Sequence, residues 1–480
     1  MTTTNGNRKI LDLKRWEFCT PAPAATAAAH FIASSRHYRQ NQLLVQSVTV
    51  AYMYNPNEDG FVQLPSPALA GTFGAGASGV GIAWSTGSTV GAASLTATAG
   101  TTTSITTNQT LARDLRGYSV HILSGPNAGE TKTIASNTIG ANAVITFTAA
   151  SGSAFSASTV YRLLTPRWLV VGAGTLAAGS FKSYDFATNT WTSLSNTGLP
   201  ATLGTDGKLV STPSWMDTGY LQFATGTATA GGASTLTNGA KAWATNQWAN
   251  SQIRIVSGTG AGQIRTIASN TGTVITVSAA WTTQPDATSV YSIEGNDDFV
   301  YYIGNGAVAM YRYQISTNTW TTLAPATARP AAPGAGCSGH WVWGSTAADW
   351  TSENAIQNGR YIYSFRGGAS TGLDRYDIAA NTWLAVGVTY SPATETFTTG
   401  TKYALVDGDL YIQKDATGRW FRYSFERSDM DGWTTHLYPQ GAAIVGDTCF
   451  DVTYFDGATE IHYVHMILNT SAVMLRQMVI

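Results

Sequence analysis

Chemistry in this 480-residue chain would have to come from a handful of places. The run Gly258-Thr-Gly-Ala-Gly262 has the backbone freedom to wrap an anion in N–H groups, yet a phosphate loop also needs a strand before it, a helix after it and a closing Lys-Ser or Lys-Thr. None of these is present, and the related segment at Gly125-Pro-Asn-Ala-Gly129 reads as a turn, so both are expected to be hairpin turns. His462 and His465 stand three apart, which places them on opposite faces of a strand and prevents them from sharing a metal. Asp429 and Asp431 in SDMDGW make a carboxylate-rich turn that could hold a weakly bound calcium ion. Trp341 and Trp343 share one face of an extended run and could offer a sugar a flat platform, although packing between repeated units explains the same pattern and is preferred. Cys19, Cys337 and Cys449 are odd in number and far apart, which reads as reduced thiols rather than a disulfide or zinc framework. The seven histidines form no cluster in sequence, and no cofactor, metal or catalytic residue is expected.

The bulk composition narrows the partners. With a formal net charge of -1 and 11% charged residues there is no field to gather a polyanion, so sequence-specific nucleic-acid binding is not expected. No stretch of 18 or more apolar residues occurs, and the first residues carry charges where an export signal needs its apolar run, so neither membrane insertion nor cleaved export is expected. A chain rich in Gly, Ala, Ser and Thr with 11% aromatics favours short strands joined by tight turns.

Those strands repeat. YDFATNTWTSL begins at Tyr184, YQISTNTWTTL at Tyr313 and YDIAANTWLAV at Tyr376, pairing Tyr184 with Trp191, Tyr313 with Trp320 and Tyr376 with Trp383. Looser copies start at Tyr54, with Phe61 in the tryptophan's place, and at Tyr423, with Trp433. Each reads as a hairpin whose asparagine takes left-handed angles and whose large rings fill the space between neighbouring sheets. The pattern resembles kelch repeats, although the paired glycines of that family survive only at Gly367-Gly368. The resemblance implies an all-β, kelch-like β-propeller. Enzymes are also built on such scaffolds, but no set of residues here maps onto the copper site of the galactose-oxidase type, and Ser428 to Trp433 does not keep the spacing of sialidase Asp-boxes.

A second repeat lies inside the first. SGPNAGETKTIASNT at Ser124 recurs as SGTGAGQIRTIASNT at Ser257, an offset of 133, and each copy spans about 70 residues of alternating strands and Gly-rich turns. The tyrosine repeats fall 130 and 129 residues apart where a copy intervenes, and 63 apart where none does. The expected organisation is a docking arm at 1–40, propeller at 41–95, a small β module at 96–166, propeller at 167–226, a second module at 227–295 and propeller at 296–480. About six blades are expected, with five to seven permitted, and the last strands near 473–480 should close against those around 43–53. The run from Ser257 to Ile293 resembles a β module of tailed-bacteriophage structural proteins, and a propeller scaffold resembles their tail hub or nozzle proteins. That resemblance implies a non-enzymatic virion component, made in the host cytoplasm, forming a ring with copies of itself and joining other tail or connector proteins. The alternatives, in order, are an adhesin for host surface glycan, using the modules or Trp341 and Trp343, and a propeller enzyme.

Overall fold

The computed structural model describes the chain apart from residues 1–16, 24–30, 35–41, 72–76, 83–94, 212–221, 343–360, 433–447 and 468–473, and shorter gaps at 57, 205, 297, 305, 392–393, 407–408, 415–418, 426, 457–458 and 480. No helix occurs among the described residues. Strands of two to nine residues are cut short by turns, many of them built on Asn or Gly with positive φ, and the protein is an all-β propeller.

Each blade is an antiparallel meander. The first is Phe31–Ser34, Gln42–Val45, Ala51–Asn55 and Gly60–Gln63; the second is Ser78–Ile82, Arg167–Val171, Phe181–Asp185 and Thr190–Ser193. The third joins Lys208–Ser211, Phe299–Ile303, Met310–Gln314 and Thr319–Leu323, and the fourth His340–Val342, Tyr361–Phe365, Leu373–Asp377 and Thr382–Val386. In the fifth, Lys402–Val406, Asp409–Gln413, Trp420–Ser424 and Asp429–Gly432 gain a parallel fifth strand, Thr389–Ser391, on the outer edge. A last sheet holds Thr448–Asp456, Thr459–Ile467 and Met474–Val479, with Glu17–Cys19 as its outer strand. Opening strands of the first four sheets lie side by side in order, His340 of the fourth meets Tyr403 of the fifth, and Thr448–Asp456 neighbours both Lys402–Val406 and Phe31–Ser34, which closes the circle.

Closure brings Met474 against Leu44 and Tyr54, as expected, and adds a strand pairing that the sequence did not suggest. Met474–Val479 hydrogen-bonds to Glu17–Cys19, while Leu44 and Tyr54 meet it only through packing, with Cys19 and Met474 in one buried cluster. The described part of 1–40 therefore belongs to the propeller: Glu17–Cys19 and Phe31–Ser34 are strands of two different sheets, which corrects the reading of that whole segment as an arm. The outer strand from the far end of the chain covers the outer edge of Met474–Val479 and fastens the last sheet to the opening segment.

The two modules are small barrels placed between the first and second strands of the second and third blades. The first runs from Leu95–Gly100 to Val160–Leu164 and closes as a six-stranded barrel. The second, from Gln222–Thr227 to Val290–Glu294, has the same strand order, with the long opening strand of the first copy divided into Gln222–Thr227 and Ala230–Gly232. The division is slight, since Ala228 N still bonds Ser289 O as Ala97 N bonds Thr159 O. Alternation of burial along Val144–Phe147 and Val274–Val277 shows why the sequence folds so: one face of each strand fills the barrel and the other meets solvent or a neighbour. The repeated Asn of IASNT is a strut, buried in the second copy and half-buried in the first. Asn137 accepts from Leu115 N at 2.7 Å and donates to Arg113 O, and Asn270 accepts from Trp248 N at 2.8 Å and donates to Ala244 O.

Candidate functional site

Two constructions recur in the molecule, and both are made by repeated residues. The first is the blade corner. The hydroxyls of Tyr184, Tyr313 and Tyr376 each donate to the side-chain oxygen of Asn189, Asn318 and Asn381 at 2.7 Å, and Tyr54 donates to Asp59 at 2.8 Å. Tyr423 shares a side-chain hydrogen bond with Ser428 at the same place. All five turn residues have positive φ, between 45° and 56°, so the short polar side chain both tolerates the turn and ties it to the strand. Across the hairpin the tyrosine faces Phe61, Trp191, Trp320, Trp383 and, in the fifth blade, Met430, which takes the place expected for Trp433; that tryptophan lies outside the described residues.

The tryptophans also reach backward. Trp191 Nε1 donates to Pro65 O at 2.8 Å and Trp320 Nε1 to Ser195 O at 3.0 Å, so each ring is bonded to the chain just leaving the preceding blade. Asn318 accepts from Ser195 N at 2.8 Å and Asn381 donates to Ala324 O at 2.9 Å, which adds a second tie at the same seam. Burial pushes the Tyr184 hydroxyl up to about 12, and Arg113 of the first barrel, 2.8 Å from it, opposes the shift. These tyrosines stay neutral donors and act as struts, not as acids.

The second construction is the junction of the barrels. Gly129 of the first, with φ +90°, and Gly262 of the second, with φ +87°, end equivalent turns. A Cβ on Gly129 would strike the carbonyl oxygen of Val256, and one on Gly262 would strike that of Leu123. Beside this contact Arg254 makes a buried, two-pronged ion pair with Glu294, Nη2 at 2.7 Å and Nε at 3.1 Å from Oε1. His121 is fully buried, bonds Thr131 Oγ1 at 3.0 Å and is the strand partner of Arg162. Burial, then the charges of Arg254 and Arg162, hold its pKa well below the ordinary value, so the ring is neutral. A cleft of about 410 Å³ opens alongside, lined by Val160, Arg162, Gln252, Arg265 and Asp298 among others. Its polar groups are largely engaged with the protein: Arg265 donates to Ala280 O and Thr282, and Asp298 accepts from Gln314 and Ser316.

The individual candidates fall as follows. Gly258, Gly260 and Gly262 all have positive φ in a hairpin between Gln252–Ser257 and Ile264–Asn270, matched by Gly125, Asn127 and Gly129 in the first barrel, so neither turn precedes a helix. Asp429 is held by Arg427 at 3.0 Å and Asp431 by Arg427 at 3.3 Å, so the carboxylates expected to suit calcium are already compensated by a cation. Trp341 is only 5% exposed and packs with Ile362, Tyr376 and Trp383 in the core between blades, which leaves it no face for a sugar; Trp343 lies outside the described residues. His465 is buried beside Tyr54, and His462 is on the same strand as a partner of Thr453. Cys19 and Cys337 are buried and unbridged, with burial pushing the Cys337 thiol up to about 11. Among the described residues no group of three His, Cys, Asp or Glu side chains is placed to hold a metal.

Sequence reasoning missed the junction. A signal was present: His121 and Arg254 stand 133 residues apart, as do Gly129 and Gly262, so equivalent positions of the two copies carry unlike titratable groups and identical glycines.

No protein-family model matches the chain, and no curated protein does. Among solved structures, a chain of a "Crystal Structure of Mitotic Checkpoint Complex" aligns over 97% of this chain and 93% of its own length, with 8% identity and a TM-score of 0.35, a likeness too loose to bear on function.

Proposed function

We propose that the chain is a non-enzymatic structural subunit of a tailed-bacteriophage virion, a ring-forming component of the tail hub, nozzle or connector. Two things support the reading: the likeness of the barrel sequence to modules of phage structural proteins, and a construction devoted to rigidity. The observation that carries it is that the duplicated barrels are fixed to each other and to the blades. Arg113 of the first barrel donates to Tyr184 and Asn189 at the second blade's corner. Asn250 of the second barrel accepts from Arg312 of the third blade at 3.2 Å and donates to Ile378 O of the fourth at 3.0 Å. Inserts tied across three blades suit a load-bearing block better than a mobile binding head.

Light scattering and negative-stain imaging of the purified chain test the proposal, together with mass spectrometry of purified particles. A discrete closed ring, present in particles in the same copy number, is the expected result. Because Glu17–Cys19 completes a sheet, an arm deletion should stop before Glu17. A chain that is monomeric at every concentration and absent from particles would overturn the reading, and saturable binding to a host polysaccharide would redirect it to adhesion.

A further inference from the structure

The contact between the barrels has the form of a symmetric dimer. Residue 129 of one copy meets residue 256 of the other, and residue 262 meets residue 123. The repeat offset of 133 makes 129 equivalent to 262 and 123 equivalent to 256. The two contacts are therefore one contact made twice, the signature of a two-fold, isologous interface in which position i meets j and j meets i. His121 and Arg254, also equivalent positions, lie close enough for the arginine's charge to act on the ring, as residues beside a two-fold axis must. Each contact lands on a backbone carbonyl, which every residue offers, so nothing in it distinguishes the first barrel from the second. What it requires is the absence of a Cβ, and glycine stands at both places.

We infer that the face carrying the turns at 123–130 and 256–263 is a self-recognition surface whose partner is another copy of the same barrel, and that duplication has brought the pair into one chain. Folding the pair within a chain replaces a bimolecular association by a tethered one at high effective concentration. The inference concerns the barrels alone and stands apart from the virion reading.

Substituting the glycines in the full-length chain tests it. Gly262→Leu and Gly129→Leu are made singly and together, with the Ala variants as a milder set where Leu prevents folding. Gly140→Leu is the control, since Gly140 has φ +114° and open space around it and so reports backbone strain without contact. Hydrogen exchange is followed at 119–131 and 252–265. Either single substitution should raise exchange at least tenfold at both turns, the double should add little, and the control should act only near its own hairpin. A single variant keeps one intact face, so raising its concentration should restore protection at the unsubstituted turn as that face pairs between chains; the double variant should show no such recovery. That readout is local and does not depend on whether the propeller forms rings. Exchange raised only at the substituted turn, or no recovery with concentration in either single variant, would overturn the inference.

Discussion

Blade corners and the barrel junction solve one problem, joining copies of a repeated unit, by opposite means. At the corners, side chains recognise one another: tyrosine to asparagine within a blade, tryptophan to a carbonyl of the blade before it. At the junction, backbone meets backbone, and the side chain has been removed to allow it. The corner tolerates variation, since Asp59 and Ser428 replace asparagine and Phe61 and Met430 replace tryptophan while the turn keeps its shape. Close backbone approach admits only glycine, because any Cβ would overlap an atom that cannot rotate away.

The comparison can be pressed with substitutions. The largest effect is expected at Asp374 in the fourth blade, which is fully buried and shared by Arg329 at 2.8 Å and Arg366 at 2.7 Å. Asp374→Ala leaves the buried Arg329 uncompensated and should cost about 3–5 kcal/mol in denaturant unfolding. Glu294→Ala, the equivalent insult inside a barrel, should cost a similar amount and also raise exchange across the junction; a junction left untouched would show that the Arg254–Glu294 pair does not support the contact between the barrels.

Asn318→Ala removes the acceptor of Tyr313 and of Ser195 N at a position with φ +52°, and should cost about 2 kcal/mol. Asn318→Gly keeps the turn and should recover part of the loss. Tyr313→Phe deletes one hydrogen bond and should cost about 1 kcal/mol. Equal losses for Asn318→Ala and Asn318→Gly would show that the side-chain bonds, not the turn angle, secure the corner.

Acid should weaken the barrel side of the comparison selectively. His121 resists protonation when folded, whereas in the unfolded chain it titrates near ~6.5. Its contribution is complete above that pH and is lost as pH falls below it, because the unfolded chain then takes up a proton the folded chain refuses. The slope is at most ~1.4 kcal/mol per pH unit. Melting followed from pH 7.5 to 5 should show the decline, and His121→Gln should flatten it; an unchanged slope would place the acid sensitivity elsewhere. The smallest effect is expected at Arg427, which is half exposed: Arg427→Ala should cost under about 1 kcal/mol and less in high salt.

Much of the fold was legible because its joints are made by side chains. Tyr184, Tyr313 and Tyr376 with their asparagines and tryptophans recur in register, and a large ring plus a turn residue at constant spacing is a signal local enough to read along the chain. The two modules were legible from their own duplicated sequence at Ser124 and Ser257, and the spacing of the tyrosines agrees with them. Residues 17–19 and 31–34 were not legible in the same way, since three or four residues carry no period, and the partner of 17–19 lies at the other end of the chain. Of the candidate chemistry, the packing role of Trp341 followed from the need of repeated blades for large rings between them. The engagement of Asp429 and Asp431 by Arg427 depended on a turn geometry that spacing alone does not state.

The amino-acid sequence by itself determined the strand-and-turn alphabet, the repeated corner and the duplication, because each depends on residues close together in the chain. Only the tertiary structure decided which strand closes the ring and that the two barrels face each other through Gly129 and Gly262. Those contacts join backbones that are distant in sequence, and a glycine records that something comes close without recording what.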